Sequence, residues 1–499
     1  MTTFTVPAGV RRRLGALAAA LALTAITAHP TAAAPAAPPT ALSPASIDRY
    51  VRDYLARTNL PGAVVAVTKG DRVVHTAGYG RTAAGQPMTA GTRMPVASLS
   101  KSMTALAVMQ LVEAGRIELD RPVHRYLPEF TMADRRAEGI TVRQLLTQTS
   151  GMADSAYPDL TRAQPGTLKE AVAALRGAQL AATPGTTFAY HNPNYFVAAR
   201  LVEVVSATPF ADYLSRHLFQ PLGMTRSTSV NTTADMPEQA RGHVRAYGTT
   251  LALPHPRWFT AGGHGVVTTA DDLSRWLIFQ NDRGAPVGGH RIATAATLAL
   301  THTPPDVPKD SSYAMGWQRS RDDGGPEQIR HTGELLTHNA MATLLPDSGI
   351  GIAVVTNTGM VSGDDAPQLT EGLIELAEGR TPEVAEPFSM TADWVLAGLT
   401  LLAAGLGVRG VLRAGRWGQR TAQRSWWRGT LRLLPYALPI LFLFQLATLL
   451  GLLMHRSGTL EQAAYAWPAL AVWAAAGALA ATAVVVARLF ALRTYRRRR

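Results

Sequence analysis

Ser98 and Lys101 stand three residues apart in Pro95-Val96-Ala97-Ser98-Leu99-Ser100-Lys101-Ser102-Met103, just ahead of an apolar run, Thr104 to Val112, that reads as helix. A serine hydroxyl is a poor nucleophile until a base takes its proton. If the helix begins near Ser98, a lysine three residues on shares its face and can be that base. The helix N-terminus adds partial positive charge and free N–H groups, which favour a neutral amine and a held oxyanion. Burial would depress the lysine pKa further. By itself the pair also fits a capping serine followed by a surface lysine.

Two further groupings bear on that choice. Thr183 to Glu203 contains Tyr190-x-Asn192, and Ile329 to Leu336 contains His331-Thr332-Gly333. Taken alone, Tyr190 also fits a packed aromatic and His331 a surface strand residue. With "LLTQTSGM" (Leu145 to Met152), "AGGHGVVTTADDLSRW" (Ala261 to Trp276) and "YAMGW" (Tyr313 to Trp317), the order and spacing resemble the serine β-lactamase and penicillin-binding-protein family. The nearest branch is that of class C β-lactamases, D-alanyl-D-alanine carboxypeptidases and esterases, and the resemblance covers residues 45–375.

Position by position, the resemblance implies Ser98 as acyl-accepting nucleophile and Lys101 as proton acceptor, with Tyr190 as partner in general acid/base work. It implies Asn192 as a hydrogen-bonding group for the substrate amide. His331, Thr332 and Gly333 correspond to the strand edge lining the site, with the backbone N–H groups of Ser98 and Glu334 as oxyanion hole. No metal or organic cofactor is implied. Many members carry lysine where this chain has His331, and a neutral imidazole grips a carboxylate less well than an ammonium. Glu334 is a second departure: facing inward, it would disfavour anionic substrates such as β-lactams, and facing outward it would not.

These groups need a scaffold. Ile47 to Asn59 has helical spacing, and Pro61 to Gly80 reads as two strands around the turn Lys69-Gly70-Asp71. Ala340 to Gly359 is a second hairpin, turning at Pro346-Asp347-Ser348-Gly349, and helical patterns such as Leu168 to Leu180 and Tyr195 to Val205 lie between. Strands at both ends of one domain predict an α+β fold whose terminal strands meet in one antiparallel sheet. The resemblance adds flanking helices and an all-helical part. His264 and Asp271-Asp272 read as loop and helix-cap residues. Gly-x-Ser-x-Gly, His-Glu-x-x-His and P-loop patterns are missing from the chain, so other common hydrolase and nucleotide readings lack anchors.

The 499 residues exceed one compact core, and charge shows where to divide them. Residues 1–40 and 391–499 carry +3 and +12, which leaves 41–390 at −2 within the total of +13. The basic character therefore belongs to the ends and gives no reason to expect nucleic acid. There is no cysteine, which removes disulfides, thiol nucleophiles and thiolate metal sites. Arg11-Arg12-Arg13, an apolar stretch and small residues read as a signal peptide over 1–33, with 34–45 as an Ala/Pro linker; the alternative is a retained anchor.

The catalytic-looking domain is read as 46–380, followed by a linker, 381–393. Residues 394–412, 433–454 and 463–486 are apolar stretches of 19, 22 and 24 residues. Each is long enough to cross a hydrocarbon core of roughly 30 Å. Six arginines fill the first connection and five follow Leu492 in the basic tail, 487–499. Positive charge stays inside, so the tail is expected in the cytoplasm and the domain outside the cell membrane. The expected partners are a small-molecule or peptide substrate, cell-wall peptide being one class, and membrane lipid around the helices. An acyl transferase or peptide cyclase using the same acyl-enzyme, and a catalytically silent receptor, are the alternatives.

Overall fold

A computed structural model of the chain describes residues 42–499, apart from 283, 285–290, 309–310, 322–323, 360–364, 455 and 498–499. The expected signal peptide therefore lies outside the described residues. Eleven strands are described. β1 (Gly62–Lys69), β2 (Arg72–Gly80), β8 (Gln318–Arg321), β9 (Glu327–Leu335), β10 (His338–Leu345) and β11 (Ile350–Thr356) form the main sheet in the order β2-β1-β11-β10-β9-β8. β3 (Met94–Pro95), β4 (Thr228–Ser229) and β7 (Val266–Thr268) make a small second sheet, and β5 (Gly242–Ala246) with β6 (Thr249–Leu253) a hairpin.

The expected meeting of the terminal strands is present. β1 lies antiparallel to β11, with Ala66 opposite Ala353. β1 is buried from Gly62 to Thr68, so its apolar residues serve two cores in alternation. Ala63, Val65 and Val67 face the helices Pro44–Thr58 and Asp365–Ala377, packing with Tyr54, Leu369 and Leu373. Val64 and Ala66 face the opposite way, into the core built by the central helical segment, including Met103, Tyr195 and Trp276. This is the layered α+β arrangement read from the sequence, and the family resemblance correctly supplied its helical half.

Beyond the sheet, three described helices are long and apolar enough to cross a membrane: Phe388–Leu412, Trp427–Met454 and Pro468–Arg497. Leu401, Phe444 and Leu479 are 75%, 72% and 71% exposed, a surface suited to lipid rather than water. Small residues set their spacing. A Cβ at Gly407 would stand 2.7 Å from that of Ala480, so the first and third helices approach through glycine and alanine.

Boundaries differ from the sequence reading in all three spans, the second beginning at Trp427 rather than 433 and the third running to Arg497 rather than 486. The first helix begins at Phe388 rather than 394, and its one acid, Asp393, is buried and accepts hydrogen bonds from Tyr247 N and Trp467 Nε1, both at 2.8 Å. The third apolar stretch is split: Leu460–Ala466 is a separate short helix, and the long one starts at Pro468. Proline has no N–H to continue an incoming helix but suits the first helical position.

Candidate active site

Ser98 lies in a 3-10 turn, Ala97–Leu99, and the α-helix begins two residues later, Ser100–Glu113. Ala97 has φ 49°, a left-handed conformation that L-residues avoid. Strain of this kind sets the direction of the following side chain, here the half-buried Ser98. The turn is locked from two sides. Gly316 of the "YAMGW" stretch passes so close that a Cβ there would sit 2.5 Å from Ser102 N. Gly333 of β9 has no room for a Cβ either, because the Val96 carbonyl oxygen occupies that space. This close approach brings β9 alongside the turn at Gly333.

Lys101 is fully buried. Its Nζ is 3.0 Å from Ser98 Oγ, 3.0 Å from Asn192 Oδ1 and 2.8 Å from the Gly263 carbonyl oxygen. Burial, followed by the positive charge of Arg456, holds its pKa well below the ordinary lysine value. The partners specify how a neutral amine sits. Gly263 O and Asn192 Oδ1 can only accept, so when the amine loses a proton its two N–H bonds can stay on them and its lone pair can turn to Ser98 Oγ. The Asn192 amide is oriented in turn, because its Nδ2 donates to Asp159 Oδ2 at 3.4 Å.

Tyr190 stands over the same amine, with Nζ 4.9 Å from its ring centre. Its hydroxyl interacts with Ser98 and its pKa is raised by burial, so it stays protonated at neutral pH. The loop carrying it is pinned by Gln148, whose Oε1 accepts from His191 N at 3.0 Å and Asn194 Nδ2 at 2.6 Å. Asn192 directly precedes the helix Pro193–Ser206, which has proline at its first position, and its side chain makes no capping bond.

The strand-edge residues take distinct places. His331 is buried, with Nδ1 2.5 Å from Thr332 O and Nε2 3.1 Å from the Tyr313 hydroxyl. A carbonyl only accepts, so Nδ1 carries the proton and Nε2 accepts from Tyr313. Burial and Lys101 push the His331 pKa down to about 3, leaving a neutral ring. Thr332 and Glu334 lie on the half-exposed face of β9, and the charge of Glu334 reaches Tyr190.

All the residues singled out from sequence come together here: Ser98, Lys101, Tyr190 and Asn192 through direct contacts, and His331, Thr332, Gly333 and Glu334 along β9. Five other contributors were not singled out. Gln148, Gly263 and Tyr313 fall inside stretches whose order was noticed, which was the available signal. Asp159 and Arg456 gave no signal. His264, read as a loop residue, is buried against Phe196 and Trp258 with its pKa held well below the usual value by burial. Asp271 and Asp272 do occupy the first turn of the helix Ala270–Asn281.

Comparison with known proteins places this geometry. The Beta-lactamase family profile matches residues 47–373. Protein flp of Staphylococcus aureus is 27% identical over 334 residues, 66% of this chain and 65% of that protein. The matched part thus spans just under two thirds of the staphylococcal protein. Penicillin-binding protein 4 of Amycolatopsis lactamdurans is 31% identical over 342 residues, covering 66% of this chain and 89% of that one. Among solved structures, the octameric penicillin-binding protein homologue from Pyrococcus abyssi superposes with a TM-score of 0.58 at 25% identity, over 71% of this chain and 81% of that one.

Proposed function

The chain belongs to the β-lactamase and penicillin-binding-protein family of serine hydrolases, and on that premise we propose that it is a membrane-tethered enzyme that cleaves an ester or amide carbonyl through an acyl-Ser98 intermediate. The supporting observation is the geometry at Lys101: its buried Nζ lies 3.0 Å from Ser98 Oγ, with Asn192 Oδ1 at 3.0 Å and the Gly263 carbonyl oxygen at 2.8 Å as its other partners. In this reading Ser98 Oγ attacks the carbonyl carbon while its proton passes to Nζ. The oxyanion is received by the backbone N–H groups of Ser98 and Glu334. Collapse expels the alcohol or amine, with a proton delivered through Tyr190 and Lys101, and water then attacks the acyl-enzyme by the reverse relay.

Neutral His331 offers no free N–H for a substrate carboxylate, and Glu334 adds negative charge nearby. Both features favour a neutral ester or peptide over an anionic β-lactam. The three apolar helices support membrane attachment, and the arginine distribution supports a domain outside the cell, where peptides of the cell wall are the accessible substrate class.

The test uses the full chain in detergent, as wild type, Ser98→Ala and Lys101→Met. A fluorophosphonate should add one covalent mass to the wild type and none to Ser98→Ala. Lys101→Met should slow labelling and ester turnover by about 10³-fold or more. A folded wild type that neither labels nor turns over any ester would refute the enzyme reading and leave a ligand-binding one.

A further inference from the structure

The segment joining the second and third apolar helices does more than reverse the chain. Arg456 places a guanidinium nitrogen 3.4 and 3.3 Å from the two oxygens of Asp159, which is 8% exposed. Ser457 N donates to Asp154 Oδ2 at 2.7 Å, Gln462 Nε2 to Leu160 O at 3.0 Å and Tyr465 Oη to Pro254 O at 2.8 Å. A capping box at Thr459 starts the short helix Leu460–Ala466. Tyr465 on that helix packs against the cluster of Ala97, Trp258, Leu335 and Leu336, which flanks both the nucleophile turn and the end of β9. The membrane segment is therefore seated on the wall of the catalytic pocket.

These contacts continue to the nucleophile. Arg456 pairs with Asp159, Asp159 accepts from Asn192 Nδ2, Asn192 Oδ1 accepts from Lys101, and Lys101 Nζ lies 3.0 Å from Ser98 Oγ. We propose that Arg456, on the loop between the membrane helices, is a positioning residue of the active site: it holds the Asp159 side chain turned toward Asn192, and so keeps the amide oxygen on Lys101. The inference rests on the reading of Ser98 and Lys101 as nucleophile and base. It makes the membrane segment part of the catalytic apparatus as well as an anchor.

The physical argument concerns what a buried carboxylate does without its counter-ion. Breaking such a pair leaves an uncompensated charge, which is relieved by neutralisation or by another cation. The amine of Lys101 is one residue further along the hydrogen-bonded line. Asp159 favours its ammonium form and Arg456 opposes it, so losing either one removes one of two opposed influences on the amine. The remaining groups around Nζ are the rings of Tyr190 and Tyr195, and His264 and His331, whose pKa values are both depressed by burial; Glu334 acts on Tyr190.

The experiment follows the rate of fluorophosphonate labelling against pH, with the full chain in detergent. Arg456→Gln should move the acid limb to higher pH by about one unit, a roughly tenfold slower reaction on that limb. Asp159→Asn should move it the opposite way, the double variant should return near wild type, and Arg456→Lys should rescue the single variant. Should Arg456→Gln not fold, the Asp159→Asn and Arg456→Lys profiles decide. A limb unmoved in Arg456→Gln and Asp159→Asn, with only a lower melting temperature, would overturn the proposal in favour of simple docking. A folded wild type unlabelled at any pH would instead remove the enzyme reading, and this inference with it.

Discussion

Gly333→Ala tests whether the close approach of β9 to the nucleophile turn is what aligns the site. A Cβ at 333 would overlap the Val96 carbonyl oxygen and lie 3.1 Å from Leu99 Cδ1 and 3.2 Å from Ala340 Cβ. The first neighbour is backbone and cannot rotate away, so the strand or the turn must move, by on the order of 1 Å in a packed interior. Overpacking of this size costs about 1–3 kcal/mol, which a folded domain can survive. Catalysis should suffer more: Ser98 lies within the displaced turn, and a misplacement of about 1 Å can cost on the order of 10²-fold. Stopped-flow or discontinuous ester hydrolysis would read kcat, and chemical denaturation would read stability, on the same preparation. A variant with wild-type kcat and a lowered stability would refute the claim that this contact fixes the catalytic geometry.

Acid should destabilise the domain through its buried histidines. His331 and His338 have pKa values pushed down to about 3 by burial. The unfolded chain binds their protons near pH 6.5, so stability is complete above that value and falls as pH drops toward 3. By pH 5 the loss should be about 2 kcal/mol for each. Denaturation midpoints between pH 7 and 5 check this, and a flat profile would contradict it. Asp365→Asn should be costly for a different reason. Asp365 is fully buried, 3.1 Å from Arg245 and 3.0 Å from the Tyr54 hydroxyl, and removing its charge leaves a buried guanidinium. A loss of about 3–5 kcal/mol is expected, measured by chemical denaturation, with a change below about 1 kcal/mol counting against it.

Much of the fold was legible because its signals are local. The turns Lys69-Gly70-Asp71 and Pro346 to Gly349 name themselves by composition, and both join the strands expected of them. Three apolar stretches became three long helices because length and apolarity suffice for that. Ser98 and Lys101 were legible as a pair because three residues of spacing survive the change from 3-10 turn to α-helix. The 3-10 turn itself and the left-handed Ala97 were not, since both depend on β9 and Gly316 pressing on the turn from distant parts of the chain.

By itself, then, the sequence determined which residues could do chemistry, which stretches would be strands or long apolar helices, and the order in which the family's motifs follow one another. Only the tertiary structure decided which way Asn192 turns, which groups surround the Lys101 amine, and that Arg456 meets Asp159 across 297 positions of chain. The reason is range. Propensity, capping and periodicity act over a few neighbouring residues, whereas hydrogen-bond direction and charge pairing are settled by groups that become neighbours only when the sheet closes and the membrane loop seats against it.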